Sequence, residues 1–227
     1  MIPVACLVVA KAPVAGLAKT RLAASVGEGA AADAAAAALL DTLDAVAEAD
    51  VATRVVALTG DLDSACRSVE IRRRLADFIV LPQRGDDFAD RLANAHADAS
   101  AAADGLPVLQ IGMDTPQVSA ALLDRCARRL TRTDAVLGMA ADGGWWVLGV
   151  RNSHSAACLR DVPMSRPDTG AVTLRALQDT DVEVSLVEEL ADVDVIDDVA
   201  TVQRECLPTS RFHGLRLKEV RRAGQSL

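Results

Sequence analysis

The chain has 227 residues, 51% hydrophobic but only 2% aromatic, with a formal net charge of −8 at pH 7. This composition excludes a disordered chain, and the acidic balance excludes general nucleic-acid binding, which needs a basic face. Cys6, Cys66, Cys126, Cys158 and Cys206 have no paired spacing, which argues against a disulfide framework or a zinc site. No apolar run reaches the ~20 residues of a membrane span. The N-terminus lacks the basic segment of a signal peptide, so a cytoplasmic protein is expected.

Residues 3–10 form a continuous apolar run, the pattern of a strand covered on both faces in a parallel sheet. The loop from Lys11 to Leu22 holds Lys11, Lys19 and Arg21, although Lys218 is the only other lysine in the chain. It reads either as a basic surface turn or as a phosphate cradle, with backbone approach at Gly16 and charge neutralised by the three cations. Residues 28–49 are Ala-rich, with Leu39, Leu40, Leu43 and Val46 at helical spacing. Arg54 to Thr59 reads as a second strand. Gly60-Asp61 ends it, and Asp61 is placed to cap the next helix. That helix carries Arg72, Arg73 and Arg74, read as a solvated face.

Phe78 to Leu81 is a third strand ended by Pro82, and residues 87–103 are helical. Pro107 to Ile111 is a fourth strand, followed by Gly112-Met113-Asp114-Thr115-Pro116 and a helix over 118–130. Ala135 to Met139 is a fifth strand. The short Asp142-Gly143-Gly144 turn predicts that Trp145 to Val150 returns antiparallel. Trp145 and Trp146 face opposite sides of that strand, one in the core and the other available to the pocket. A helix over 170–179 precedes a less buried, near-edge strand from Val182 to Val187. The acidic segment Asp192 to Asp198 leads into a short helix ended by Pro208. Arg211, Arg216, Lys218, Arg221 and Arg222 then make a basic tail that either docks or stays mobile. The alternation of strands and helices predicts an α/β fold with a mostly parallel sheet, in one domain over 1–208 followed by the tail 209–227.

Ligands of such sheets bind outside the carboxyl ends of the strands. Lys11, Lys19 and Arg21 follow the first strand, and Gln83, Arg84 and Asp86 the third. Asp114 follows the fourth, Asp142 the fifth, and Asp192 or Asp194 the last. The first loop has neither GxxxxGK[ST] nor GxGxxG, which disfavours a P-loop ATPase and a hydride-transfer enzyme. Asp114 and Asp194 suit a hard divalent cation, which takes one or two carboxylates plus substrate phosphates. The alternative for Asp114 is a cap on the helix at 118, and Asp192, Asp197 and Asp198 also read as caps, Asp197 most simply. At Asp142-Gly143-Gly144 a tight turn needing positive φ is combined with room for a sugar or small acceptor, its hydroxyl received by Asp142. His96, His154 and His213 have no nucleophile at a recognisable spacing and read as structural or solvated.

Five motifs occur in order: Lys11-x-Pro13-x-x-Gly16-x-x-Lys19-Thr20-Arg21-Leu22, Gln83-Arg84-Gly85 with Arg91-Leu92, Gly112-x-Asp114-x-Pro116, Asp142-Gly143-Gly144-Trp145-Trp146-x-x-Gly149, and Asp192-x-Asp194. Together they resemble bacterial transferases of the three-layer, Rossmann-like GT-A fold, the nucleotide-diphospho-sugar transferase fold. These are known as selenodomain-associated transferase 1 or simply as glycosyltransferases. The first loop and the late Asp-x-Asp are also similar to guanylyltransferases acting on 2-phospholactate or molybdopterin. The resemblance spans residues 3 to about 203. It departs at Trp145, where that family commonly has Tyr, and at Met164, where it has Trp.

The resemblance implies that Lys11, Pro13, Gly16, Lys19, Thr20, Arg21, Gln83 and Arg91 hold the nucleotide, and that Asp114 and Asp194 hold Mg²⁺ or Mn²⁺. It places Asp142, Gly143, Gly144 and Trp145 on the acceptor side, with Lys19, Arg21 and Asp142 catalytic. The expected partners are a nucleotide or nucleotide-sugar and a small acceptor, without nucleic acid or a membrane span, and a homodimer is allowed. Glycosyl transfer from a nucleotide-sugar is the first expectation. Nucleotidyl transfer with release of pyrophosphate is the second, and a non-catalytic nucleotide-binding protein the third.

Overall fold

The computed structural model describes residues 1–191, 193 and 195–220. Strand β1 spans Ile2–Lys11. Its side chains enter opposite cores, with Val4, Cys6 and Val8 on one face and Ala5, Leu7 and Val9 on the other. Burial on both faces is why this run is apolar without alternation. Helices α1 (Thr20–Val26) and α2 (Glu28–Glu48), strand β2 (Val51–Thr59), helix α3 (Ser68–Leu75) and strand β3 (Ile79–Pro82) follow. Next come α4 (Phe88–Ala102), β4 (Val108–Ile111), α5 (Ala120–Leu130) and the hairpin β5 (Ala135–Ala140) and β6 (Trp145–Val150). A 3₁₀ helix (Ser153–Asp161) that no sequence pattern announces precedes α6 (Thr169–Gln178), β7 (Val184–Leu190), α7 (Ile196–Glu205) and α8 (Arg211–Gly214).

The strands form one sheet in the order β3-β2-β1-β4-β6-β5-β7. β1 is parallel to β2 and β4, β2 to β3, and β5 to β7. β6 runs antiparallel to both β4 and β5. The return strand expected after the 142–144 turn is therefore present, and it separates β4 from β5. Helices α2, α3 and α5 cover one face of the sheet, while α4, the 3₁₀ helix and α6 cover the other. β3 and β7 are the edges. Pro82 is tolerated in β3 because an edge strand pairs on one side only.

Helix α2 is buried nearly all round. Leu39, Leu40, Leu43 and Val46 face the sheet, whereas Ala31, Ala34, Ala37 and Ala38 face a further layer of α1, α7 and α8. Small side chains let both layers approach, which explains its alanine content. Among the described residues beyond Pro208, Phe212, Leu215 and Leu217 join this outer layer: Phe212 is 1% exposed and packs with Leu22, Val26 and Val202. Of the sequence-expected helix caps, Asp61 instead closes a turn onto Asp63 N–H and Ser64 ahead of α3. At α7 it is Asp198, not Asp197, whose carboxylate accepts the Val195 N–H, at 2.8 Å. Arg74, expected on a solvated face, pairs with Asp44 at 2.7 Å.

Candidate functional site

The carboxyl ends of β1, β4 and β5 open onto a cleft of about 390 Å³. Lys11, Gln83, Arg91, Asp114, Asp142, Gly144 and Trp145 from the sequence-derived set line it. Pro13, Gly16, Lys19, Thr20, Arg21 and Gly143 are not in its wall. Asp194, the second expected metal ligand, lies outside the described residues, as does Asp192.

The loop after β1 is tied at several points. Ala12 N–H donates to the Thr59 carbonyl at 2.8 Å, and Cys66 N–H to that of buried Pro13 at 3.0 Å. Gly16 turns the chain at φ 78°, facing the Glu28 carboxylate. The Lys11 ammonium donates to the Leu17 carbonyl at 3.0 Å, lashing the loop while bordering the cleft. Lys19 takes the left-handed conformation (φ 48°, ψ 50°) just before α1, which is costly for a residue with a Cβ. It is held there by its side chain, 13% exposed, whose ammonium lies 2.8 Å from Asp114 Oδ2 and also donates to the Val193 carbonyl. Thr20 and Arg21 open α1 on the exposed side of the loop.

Asp114 follows β4 by three residues, with its side chain 38% exposed. A Cβ on Gly112 would lie 2.9 Å from Asp114 Oδ1, so the glycine lets the carboxylate fold back over the strand end. Burial opposes its charge, but the Lys19 ammonium and its own backbone N–H hold the carboxyl below its ordinary pKa. The cap of α5 is Ser119, whose hydroxyl accepts the Leu122 N–H at 3.3 Å, so Asp114 does not take the capping role that its position allowed. Two hard oxygens, Asp114 Oδ2 and the Val193 carbonyl, thus converge on one positive charge. Among the described residues no group of three or more metal-ligating side chains forms. A divalent cation shared with substrate phosphates needs only one or two carboxylates, so this donor set fits one.

The wall beyond β3 is built by Gln83 and the start of α4. Gln83 Nε2 donates to the carbonyls of Ala10 (2.8 Å) and Ala57 (3.0 Å), stitching the ends of β1 and β2 together. Arg91 Nε donates to the Gly85 carbonyl at 3.3 Å, leaving the guanidinium at the cleft. The opposite wall is the β5–β6 turn. Asp142 Oδ1 accepts the Gly144 N–H at 2.7 Å, closing the turn. Trp146 and half-buried Trp145 face opposite cores, as their alternation predicts, but both line the cleft, and buried Trp146 donates its Nε1–H to the Glu188 carbonyl at 2.9 Å.

Several lining residues stand outside the sequence-derived set. Met113 accepts the Lys11 N–H on its Sδ at 3.1 Å, joining the first loop to the β4 end. Met164, Ser165, Arg166 and Thr169 close the cleft beside Trp145. Their segment is pinned by the Thr169 hydroxyl, which donates to the Pro163 carbonyl at 2.9 Å and accepts the Arg166 N–H at 3.0 Å. A loop without periodicity offers no signal for this, and only the family resemblance draws attention to Met164. Gln110 also lines the cleft, and the signal that could have found it is a polar residue inside a buried strand.

Sheet order, the reversed β6 and a cleft at the parallel strand ends define a nucleotide-diphospho-sugar transferase fold. The chain is similar to a Desulfovibrio desulfuricans protein named as a nucleotide-diphospho-sugar transferase. That likeness has 24% identity and a TM-score of 0.79, over 94% of each chain. It is similar to CMP:2-keto-3-deoxy-manno-octonic acid synthetase complexed with CTP, at 11% identity and TM-score 0.56, over 88% of this chain and 96% of that one. It is also similar to Rv0371c of Mycobacterium tuberculosis in complex with manganese, at 19% identity and TM-score 0.54, over 88% and 97% of the two chains. No curated protein matches significantly. The model of the family described as "Uncharacterized protein conserved in bacteria (DUF2064)" matches residues 42–166, and the chain belongs to that family.

Proposed function

We propose that the protein is a divalent-metal-dependent transferase that uses a nucleotide-activated donor, and that it transfers a sugar from a nucleotide-sugar to a small acceptor. The observation that carries this reading is the meeting of Asp114 and the Val193 carbonyl around one cation beside a cleft that also holds Lys11 and Arg91. Asp114 would hold Mg²⁺ or Mn²⁺, with Asp194 as the second ligand. The metal supplies Lewis-acid neutralisation of the donor phosphates. Lys11, Lys19, Arg21 and Arg91 offset the charge that grows on those phosphates as the bond breaks. Asp142 receives the proton of the acceptor hydroxyl, and Trp145 bounds the acceptor. In this reaction the acceptor oxygen bonds to the anomeric carbon, the carbon–oxygen bond to phosphate breaks, and a nucleoside diphosphate leaves.

The cation-rich loop after β1, together with the CTP carried by one protein of this fold, favours a second reading. There an acceptor phosphate attacks the α-phosphorus of a nucleoside triphosphate, and Lys11 and Lys19 hold the departing pyrophosphate. One experiment separates the two. Melting temperature is measured with nucleoside triphosphates and nucleotide-sugars, with and without Mg²⁺ or Mn²⁺, and any ligand that stabilises the protein is followed for product. Metal-dependent stabilisation with release of nucleoside diphosphate is the expected result, and pyrophosphate release selects the second reading. Absence of any shift at millimolar ligand removes both.

A further inference from the structure

Gln110 is the single polar residue of β4, and it stands mid-sheet, paired with Leu7 of β1 and Leu148 of β6. It is 1% exposed, and its Oε1 has no hydrogen-bond partner among the described residues. Such an unpaired amide oxygen costs folding free energy that an unbranched apolar side chain of the same length would not. Gln110 nevertheless lines the cleft. The contrast with Gln83 is direct, since that amide is spent on two strand carbonyls.

The surroundings define what Gln110 would meet. The same cleft wall includes the apolar side chains of Val9, Leu92, Trp145 and Met164, whereas the charged groups stand at the strand ends, on α4 and, as Arg166, on the loop before α6. A ligand held by its phosphates at the charged groups would place an uncharged portion against the apolar wall. We propose that Gln110 is a specificity-determining contact for that portion, a neutral group bearing an O–H or N–H, which rests on the transferase reading above. The donor is either a base edge or a sugar hydroxyl of the activated nucleotide. The terminal amide torsion is broad, so the same side chain can turn its acceptor to either. A site with a buried acceptor left unpaired discriminates strongly against analogues that lack the matching donor.

The test compares wild type with Gln110→Met by thermal melting in Mg²⁺, using pyrophosphate, the four common nucleoside triphosphates, and nucleotide-sugars that differ only in the sugar. The variant is expected to melt no lower than wild type without ligand and to keep the pyrophosphate shift. It should lose at least half the shift given by the preferred nucleotide. If its preference flattens among the triphosphates, Gln110 reads the base, and if it flattens among the sugars, Gln110 reads the sugar. A variant that keeps the wild-type shift and preference, or that melts several degrees lower without ligand, overturns the assignment. A wild type that answers to no nucleotide or nucleotide-sugar overturns the transferase reading itself, and Gln110's role with it.

Discussion

At the scale of single residues the site turns on Asp114 and Lys19. Each is placed by a backbone feature next to it: Gly112 admits the carboxylate, and the left-handed turn at Lys19 aims the ammonium. Their pairing keeps Asp114 ionised in a partly buried position, the state that its proposed role as a metal ligand requires. Asp114→Asn is expected to lower metal-dependent turnover by about a hundredfold, roughly 3 kcal/mol of transition-state stabilisation. The far-ultraviolet circular dichroism of the variant should match wild type. Retention of full Mg²⁺-dependent activity would exclude Asp114 as the ligand. Residue types and their position after strands make Asp114, Lys11 and Asp142 legible in the sequence. The bonds that absorb Gln83 are not legible there, because its partners, Ala10 and Ala57, lie 73 and 26 residues away.

At the scale of elements, the cleft wall proposed to face the acceptor is a junction between the β5–β6 turn and the loop before α6. Gly143 sits at φ 90°, and a Cβ there would collide with the Pro167 carbonyl. Gly170 N–H donates to the Gly143 carbonyl at 2.8 Å, which locks the two segments together. Gly143 thus shapes the wall from behind. Gly143→Ala must displace either the turn or the 163–169 segment, at an expected cost of about 3 kcal/mol from clash and positive φ combined. Chemical denaturation should register that loss, and a change below about 0.5 kcal/mol would show that the junction yields freely. The Asp142-Gly143-Gly144 turn and its returning strand are readable from spacing. The partner loop is not, since nothing periodic in residues 151–168 marks it, and its 3₁₀ helix packs chiefly against α4 and α6.

At the scale of the whole molecule, the outer layer closes over α2. Arg211 reaches Asp41, Asp44 and Glu70, and Asp41 also accepts the backbone N–H groups of Arg211 and Phe212. The basic residues past Pro208 are thereby partly consumed in fastening the chain to α2 and α3, while Arg221 and Arg222 lie outside the described residues. On the other face of the sheet His96 is fully buried with neither ring nitrogen hydrogen-bonded among the described residues, and burial pushes its pKa down to about 3. The unfolded chain protonates His96 below about 6.5, whereas the folded chain keeps it neutral, so acid favours unfolding through this group. Its contribution is complete above about pH 6.5 and is lost progressively as pH falls toward 3. Between pH 7.5 and 5 the loss from this group is about 2 kcal/mol. His96→Leu should therefore show a correspondingly smaller loss of stability over that interval in urea unfolding. An unchanged difference would mean that His96 titrates alike in both states.

Composition and pattern alone settled the α/β class, the parallel strands, the reversed strand after residue 144 and the strand ends as the place of the cleft. Each of these follows from local periodicity and turn chemistry, which neighbouring residues encode together. Folding in three dimensions settled which cations enter the cleft and which support it. Lys11, Arg91 and Arg166 border the space, while Lys19 reaches across to Asp114 from outside it. It also settled that β6 lies between β4 and β5, that Phe212 is core, and that Gln110 is buried with its amide oxygen unpaired among the described residues. Those facts depend on contacts between segments far apart in the chain, and no local pattern of side chains records them.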